Sequence, residues 1–225
     1  MFKKLYKAFS IGLIFMSAKA VSGVEIGGTR LIYNGNASHA AISVKNSDAK
    51  PYLIQSWVSK SEDSDESGSE FTTTPPLFKL NSNSQNSVRV ILTGSDLPSD
   101  RESVYWLNIK AIPSSSPDSK NELLIAVKSR MKLLYRPAGL KGDPSLAYQQ
   151  LNFSHGGAEL IIKNPTPYSV SLNDIKISGK TITRPPMILP FQTVTIPLSD
   201  LKGRDLSWRA INDYGGITAE QKVTI

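Results

Sequence analysis

Apolar side chains recur at every second position through short segments of this chain, and turn residues separate the segments. The longest alternation spans residues 123–135, LLIAVKSRMKLLY. Leu123, Ile125, Val127, Met131 and Leu133 fall on one side, while Leu124, Ala126, Lys128, Arg130 and Lys132 fall on the other. That period predicts a strand roughly twice the usual five or six residues. Inside a sheet, both neighbours would satisfy its backbone. On an edge, it would offer a row of free N–H and C=O groups flanked by apolar side chains.

Shorter predicted strands precede it at 24–26, 28–33, 40–45, 52–58, 77–80, 87–92 and 105–112. Past Tyr135-Arg136-Pro137, the residues Gly139, Gly142 and Pro144 interrupt regular structure and mark a domain boundary. Alternation resumes at 157–163, 168–172, 175–177, 191–196, 206–211 and 221–225. Short strands bounded by turns, with no helical period beyond about two turns, predict an all-β protein of two sandwiches. The expected division is 21–140 and 141–225.

The first residues follow a different pattern. Lys3, Lys4 and Lys7 precede an apolar run at 8–16 and an Ala18-Lys19-Ala20 site, which together read as a secretory signal cleaved after Ala20, with Ser22 or Gly23 as later alternatives. No later stretch approaches the roughly 20 apolar residues of a membrane helix, so a membrane-embedded protein is not expected. The signal holds four lysines and no acid, so its removal lowers the formal charge from +7 to +3. The remaining basic residues are dispersed, which argues against a nucleic-acid partner. There is no cysteine, so an exported chain would rely on its core alone.

Little in the sequence suggests reaction chemistry. His39 and His155 fall in different predicted domains, and no thiol, phosphate-binding loop or nucleophile elbow accompanies them. No catalytic residue, metal or cofactor is expected. The acidic stretch 61–70, with Glu62, Asp63, Asp65, Glu66 and Glu70, lacks the spacing of a calcium loop and reads as a solvated hairpin loop. Thr74-Pro75-Pro76 contains a candidate cis bond. Trp57, Trp106 and Trp208 fall within predicted strands, where core packing is the simpler account. Arg30 and Lys132 are cations embedded among apolar neighbours. If they met in a cleft they would suit a carboxylate, because charge-assisted hydrogen bonds in a partly desolvated site are strong.

Five motifs occur in order: GTRLIY at 28–33, PPLFKL at 75–80, LPSDRESVYWLNIKAIP at 97–113, VKSRMKLLYRPAGL at 127–140 and NPTPYSVSL at 164–172. In this the chain resembles the periplasmic pilus (fimbrial) chaperones of the chaperone–usher pathway, PapD-like and of the short-loop subfamily. The resemblance implies two immunoglobulin-like β-sandwich domains in a boomerang. It implies a periplasmic, non-enzymatic protein that caps pilus subunits by donor-strand complementation and delivers them to an outer-membrane usher. Arg30 and Lys132 match the cleft pair that binds the subunit's C-terminal carboxylate. Leu123, Ile125 and Val127 match the side chains donated to the subunit, and Glu102, Arg136 and Asp213 match an interdomain charge network. A sticky free edge makes a self-capped dimer of the unoccupied protein an expectation as well. The competing expectation is a secreted adhesin or carbohydrate-binding sandwich, which would display a surface cluster of Trp and Tyr.

Overall fold

The computed structural model describes residues 23–115, 123–182, 185–198 and 203–225. The secretory signal, with its expected cleavage after Ala20, lies outside them, as does most of the loop between Pro113 and Leu123. The expected all-β architecture of two sandwiches is what folds.

In the first sandwich one sheet runs β1 (Val24–Ile26), β3 (Ala40–Asn46), β7 (Ser84–Leu92), β5 (Phe71–Thr74). The facing sheet runs β2 (Arg30–Asn34), β9 (Val127–Arg136), β8 (Ser103–Pro113), β4 (Tyr52–Ser59), β6 (Leu77–Leu80). Their inner faces bury Val44, Ile54, Phe71, Val88, Leu107, Ile109 and Leu133. Phe71 meets the rings of Tyr33, Tyr105 and Tyr135 with centroids 4.9–6.0 Å apart. Phe71–Thr74 was not an expected strand, since three threonines between an acidic loop and two prolines carry little apolar pattern.

The first stretch of chain serves both sheets. β1 pairs antiparallel with β3, the chain crosses at Gly27-Gly28, and β2 then pairs parallel with β9. Gly27 donates its N–H to the Ser43 carbonyl at 2.9 Å, and a Cβ at Gly27 would collide with the Ser43 hydroxyl. A glycine is therefore needed at this crossing.

β9 is the strand predicted at 123–135, but it begins only at Val127. Residues 123–126 join no ladder among the described residues: pairing with β8 stops at Ala111 and Val127, and β2 starts level with Lys132. β8 covers one side of β9 along Val127–Tyr135, whereas β2 covers the other only along Lys132–Arg136. Among the described residues, the 127–131 half of β9 has one open edge.

In the second sandwich, β10 (Asn152–Gly156), β11 (Glu159–Lys163) and β15 (Thr193–Pro197) form one sheet. The other runs β13 (Lys180–Ile182), β12 (Val170–Ile177), β16 (Asp205–Ile211), β17 (Gln221–Thr224), with β14 (Met187–Ile188) also on β12. Leu160, Ile162, Ile175, Ile188, Leu206 and Trp208 fill the core, and Leu140 packs against it.

Four expectations are corrected here. The strand expected at 157–163 starts at Glu159, because Gly157, with φ of 63°, turns the β10–β11 hairpin. The segments 168–172 and 175–177 are one strand with a bulge between Leu172 and Asp174. Phe191 sits in a turn with φ of 60°, so β15 starts later than expected. Pro144, read as a breaker, opens a 3₁₀ helix, Pro144–Gln150, capped by Asp143 accepting from the Ser145 N–H at 2.8 Å; a proline fits there because that N–H has no helical partner. The Thr74-Pro75 bond is cis.

The tryptophans divide differently from expectation. Trp208 is core, donating Nε1–H to the Tyr148 carbonyl at 2.9 Å and packing against Phe153 with the ring planes tilted by 45°. Trp57 and Trp106 are only half-buried, on the outer face of the larger sheet, because strand alternation turns them away from the core.

Candidate functional site: a cationic cleft and an open strand edge

Arg30 is the first residue of β2, and parallel pairing sets it directly beside Lys132 of β9. Neighbours in register share a face, so both side chains project outward together, toward the second sandwich. Arg30 donates from Nη1 to the Ile211 carbonyl at 3.1 Å, and its buried Nε–H has no partner. Lys132 donates from Nζ to Ser171 Oγ at 3.1 Å and lies 6.0 Å from the Trp106 ring centre. Burial lowers the proton affinity of both cations. The Arg30 charge lowers that of Lys132 further, while Asp213 favours the charge on Arg30 and Glu62 that on Lys132.

Two like charges thus stand side by side, partly desolvated, and among the described residues neither makes an ion pair. Arg30 lines a cleft of about 240 Å³ with Leu134, Tyr168, Ser171, Ile211 and Asp213. Such a site favours an anion able to use the idle Arg30 Nε–H. Ser171 and the Ile211 carbonyl were not candidates in the sequence. They come from β12 and β16 of the second sandwich, and no spacing links them to Arg30 or Lys132. Asn164 helps set that side. Buried in the NPTP turn, it donates to the Tyr168, Ile188 and Leu189 carbonyls and accepts from Thr166, fixing the approach to β12.

Glu102, Arg136 and Asp213 come together across the domains. Arg136 donates from Nε to Glu102 at 2.6 Å and from both Nη atoms to Asp213 at 2.9 and 3.1 Å. The second Glu102 oxygen accepts from the Ser169 N–H at 2.8 Å, and the Glu102 N–H donates to the Pro167 carbonyl at 2.9 Å. The Arg136 guanidinium also lies over Tyr168, 5.5 Å from the ring centre. Burial pushes the Glu102 carboxyl up, and Arg136 opposes it. Burial pushes Arg136 down, but its two carboxylate partners outweigh that and hold it above its ordinary value.

Leu123, Ile125 and Val127 lead into the open edge of β9 and are 83%, 65% and 59% exposed. Ile125 and Val127 line a small cavity of about 140 Å³ with Val24, Ile26, Ile109 and Ala111, where the core opens between the sheets. Unpaired backbone beside exposed aliphatic side chains is an adhesive surface. The acidic stretch, expected to be a solvated loop, is mostly exposed, yet Asp65 accepts from both Lys128 and Arg130 on the outer face of β9. His39 contacts only its neighbour Ser38 among the described residues, and no metal-binding cluster occurs among them.

Known proteins match this chain along both sandwiches. Residues 23–141 match the N-terminal domain of the pili and flagellar-assembly chaperone PapD, and residues 146–222 match the C-terminal domain of the pili assembly chaperone PapD. A probable fimbrial chaperone, LpfB, of Escherichia coli O157:H7 is 40% identical over 96% of this chain and 94% of its own. The chaperone FimC of Escherichia coli K12 is 37% identical over 91% of this chain and 86% of its own. Among solved structures, the Salmonella enterica SafA pilin in complex with the SafB chaperone aligns with a TM-score of 0.82 at 33% identity, covering 92% of this chain and 99% of that one. Matched along both domains by the same family, and built as its solved members are, the chain belongs to the PapD-like pilus-assembly chaperones, which are not enzymes.

Proposed function

We propose that this chaperone binds pilus subunits in the periplasm by lending them the open half of β9. A subunit that lacks its last strand exposes an apolar groove between two unpaired edges, and strand addition is the known way such chaperones fill it. Leu123, Ile125 and Val127 enter the groove, each worth about 1.5–3 kcal/mol at most when buried. Main-chain hydrogen bonds from the open edge add about 1 kcal/mol net apiece. Arg30 and Lys132 receive the subunit's C-terminal carboxylate and set the register, since a one-residue slip turns every apolar side chain the wrong way.

Glu102, Arg136 and Asp213 hold the angle between the domains so that Ser171 and the Ile211 carbonyl meet the two cations. The loaded complex passes to an outer-membrane usher. Without a subunit, two copies cover each other's open edges as a dimer. A surface adhesin is set aside by the family to which the chain belongs.

The observation that carries this reading is the paired Arg30 and Lys132, without a counter-ion among the described residues, at the upper end of a half-open strand. Co-purification from the periplasm tests it. The unaltered chain should retain a small β-rich subunit that mass spectrometry identifies, and a folded Arg30→Ala/Lys132→Ala variant should not. Equal retention by both, or by neither, would remove the carboxylate anchor.

A further inference from the structure

Three cations alternate along the outer face of β9, Lys128, Arg130 and Lys132, and the geometry treats them unequally. A bound strand that slips by two residues keeps its apolar side chains inward, because the side-chain period is two. Apolar matching alone is therefore a weak guard against a two-residue slip, and Arg130 stands where a slipped carboxylate would arrive. One acid lies over this part of the strand. Asp65, from the loop after β4, accepts from both Lys128 Nζ and Arg130 Nη2, while Arg130 also donates from Nε to Asn108 Oδ1 at 2.8 Å and from Nη2 to the Ser64 carbonyl at 3.4 Å.

Lys128 and Arg130 thus share one carboxylate, whereas Arg30 and Lys132 share none among the described residues. Glu62, in the same loop, acts on Lys132 only through space and ranks behind burial and the Arg30 charge. The hydrogen bond from Lys128, followed by the charges of both cations, keeps the Asp65 carboxyl below the usual carboxylate range. Asp65 is well exposed, so these pairs add little to folding stability. Their consequence is the charge pattern along the strand.

We infer that Asp65 is a register-setting residue: by occupying Lys128 and Arg130 it leaves Lys132 as the β9 outer-face cation, beside Arg30 of β2, that is open to a subunit carboxylate among the described residues, and so excludes the complex slipped by two residues. This rests on the proposed carboxylate anchor, and it assigns the acidic loop a part in positioning the client. Asp65 acts through Lys128 and Arg130 and touches no client itself.

The test uses the full chain co-expressed with the β-rich subunit that co-purifies with it. Five forms are compared: unaltered, Asp65→Asn, Lys132→Ala, Asp65→Asn/Lys132→Ala and Asp65→Asn/Arg130→Gln. Recovered complex is weighed, and cross-linking mass spectrometry reads which β9 residue faces which subunit residue. Lys132→Ala alone should lose about tenfold or more of the complex, the order expected for one charge-assisted hydrogen bond. Asp65→Asn should keep the complex but show a second set of cross-links displaced by two residues, and adding Arg130→Gln should remove that set.

Asp65→Asn/Lys132→Ala should recover complex severalfold over Lys132→Ala, because the freed Arg130 accepts the carboxylate; a merely structural role for Asp65 predicts no such rescue. A single register in Asp65→Asn with no rescue in Asp65→Asn/Lys132→Ala overturns the inference and leaves the anchor standing. Full recovery with Lys132→Ala alone would instead remove the anchor, and the register role of Asp65 with it.

Discussion

The two halves of β9 share one strand, one period and one neighbour, β8, and differ in what lies on the other side. Along Lys132–Arg136, β2 completes the ladder, Leu133 and Leu134 are buried, and Arg136 is tied to both domains. Along 127–131 the second side is open, and the residues leading into it expose Leu123 and Ile125. The same alternation thus has two outcomes, first an exposed edge and then a buried part of a domain. What separates the outcomes is where β2 begins, and that is fixed by the glycine crossing at Gly27-Gly28. A neighbour that started five residues earlier would close the edge.

Substitutions should separate the halves. Arg136→Ala, at the end of the closed half, leaves the Glu102 carboxylate buried without its cation and should cost about 3–5 kcal/mol of stability, measured by urea unfolding. Leu133→Ala, at a fully buried position, should cost about 2–5 kcal/mol by the same measurement. The same change at Leu123 should move stability by less than about 0.5 kcal/mol while reducing recovered subunit complex. Equal destabilisation at Leu123 and Leu133 would erase the distinction between the halves.

Ser171→Ala should remove the hydrogen bond that orients Lys132 and weaken subunit binding by about 0.5–1.5 kcal/mol, with the urea midpoint unchanged. The smallest effect concerns a pair away from β9. Arg209, by hydrogen bonding, holds the Asp174 carboxyl below its usual range. A carboxyl lowered in the folded state contributes stability above its unfolded value near 4, lost as pH falls through the folded value. Asp174→Asn should flatten the fall in stability as pH drops below the unfolded carboxyl value of about 4, without altering subunit capture.

Much of this was legible in the sequence, and the limits are physical. Alternation marked β3, β4, β7, β8 and β16 to within a few residues, because each sets apolar side chains on a core, and it marked β17 as well. It overran β9 at its start, since 123–126 keep the alternation of a strand but join no ladder among the described residues. It missed β5, β10 and β13, which are short and pattern-poor, and it split β12 at a bulge. Arg30, Lys132, Glu102, Arg136 and Asp213 were named through motifs. Ser171, Ile211 and Asp65 were not assigned parts, because their contacts span 39 to 181 residues and no local rule reaches so far.

The most direct measurement is amide hydrogen exchange along 123–136, in the free protein and in the complex with its co-purified subunit. In an antiparallel pair with β8, only every second amide of 127–131 is bonded inward, and the others face the open edge. The outward amides of 127–131 and those of 123–126 should exchange quickly in the free protein held dilute enough to be monomeric. In the complex they should slow by roughly a hundredfold or more, while 132–136 stays protected throughout. Unchanged exchange over 123–131 in a complex that still forms would contradict the account, because the subunit would then be held by some surface other than the open half of β9.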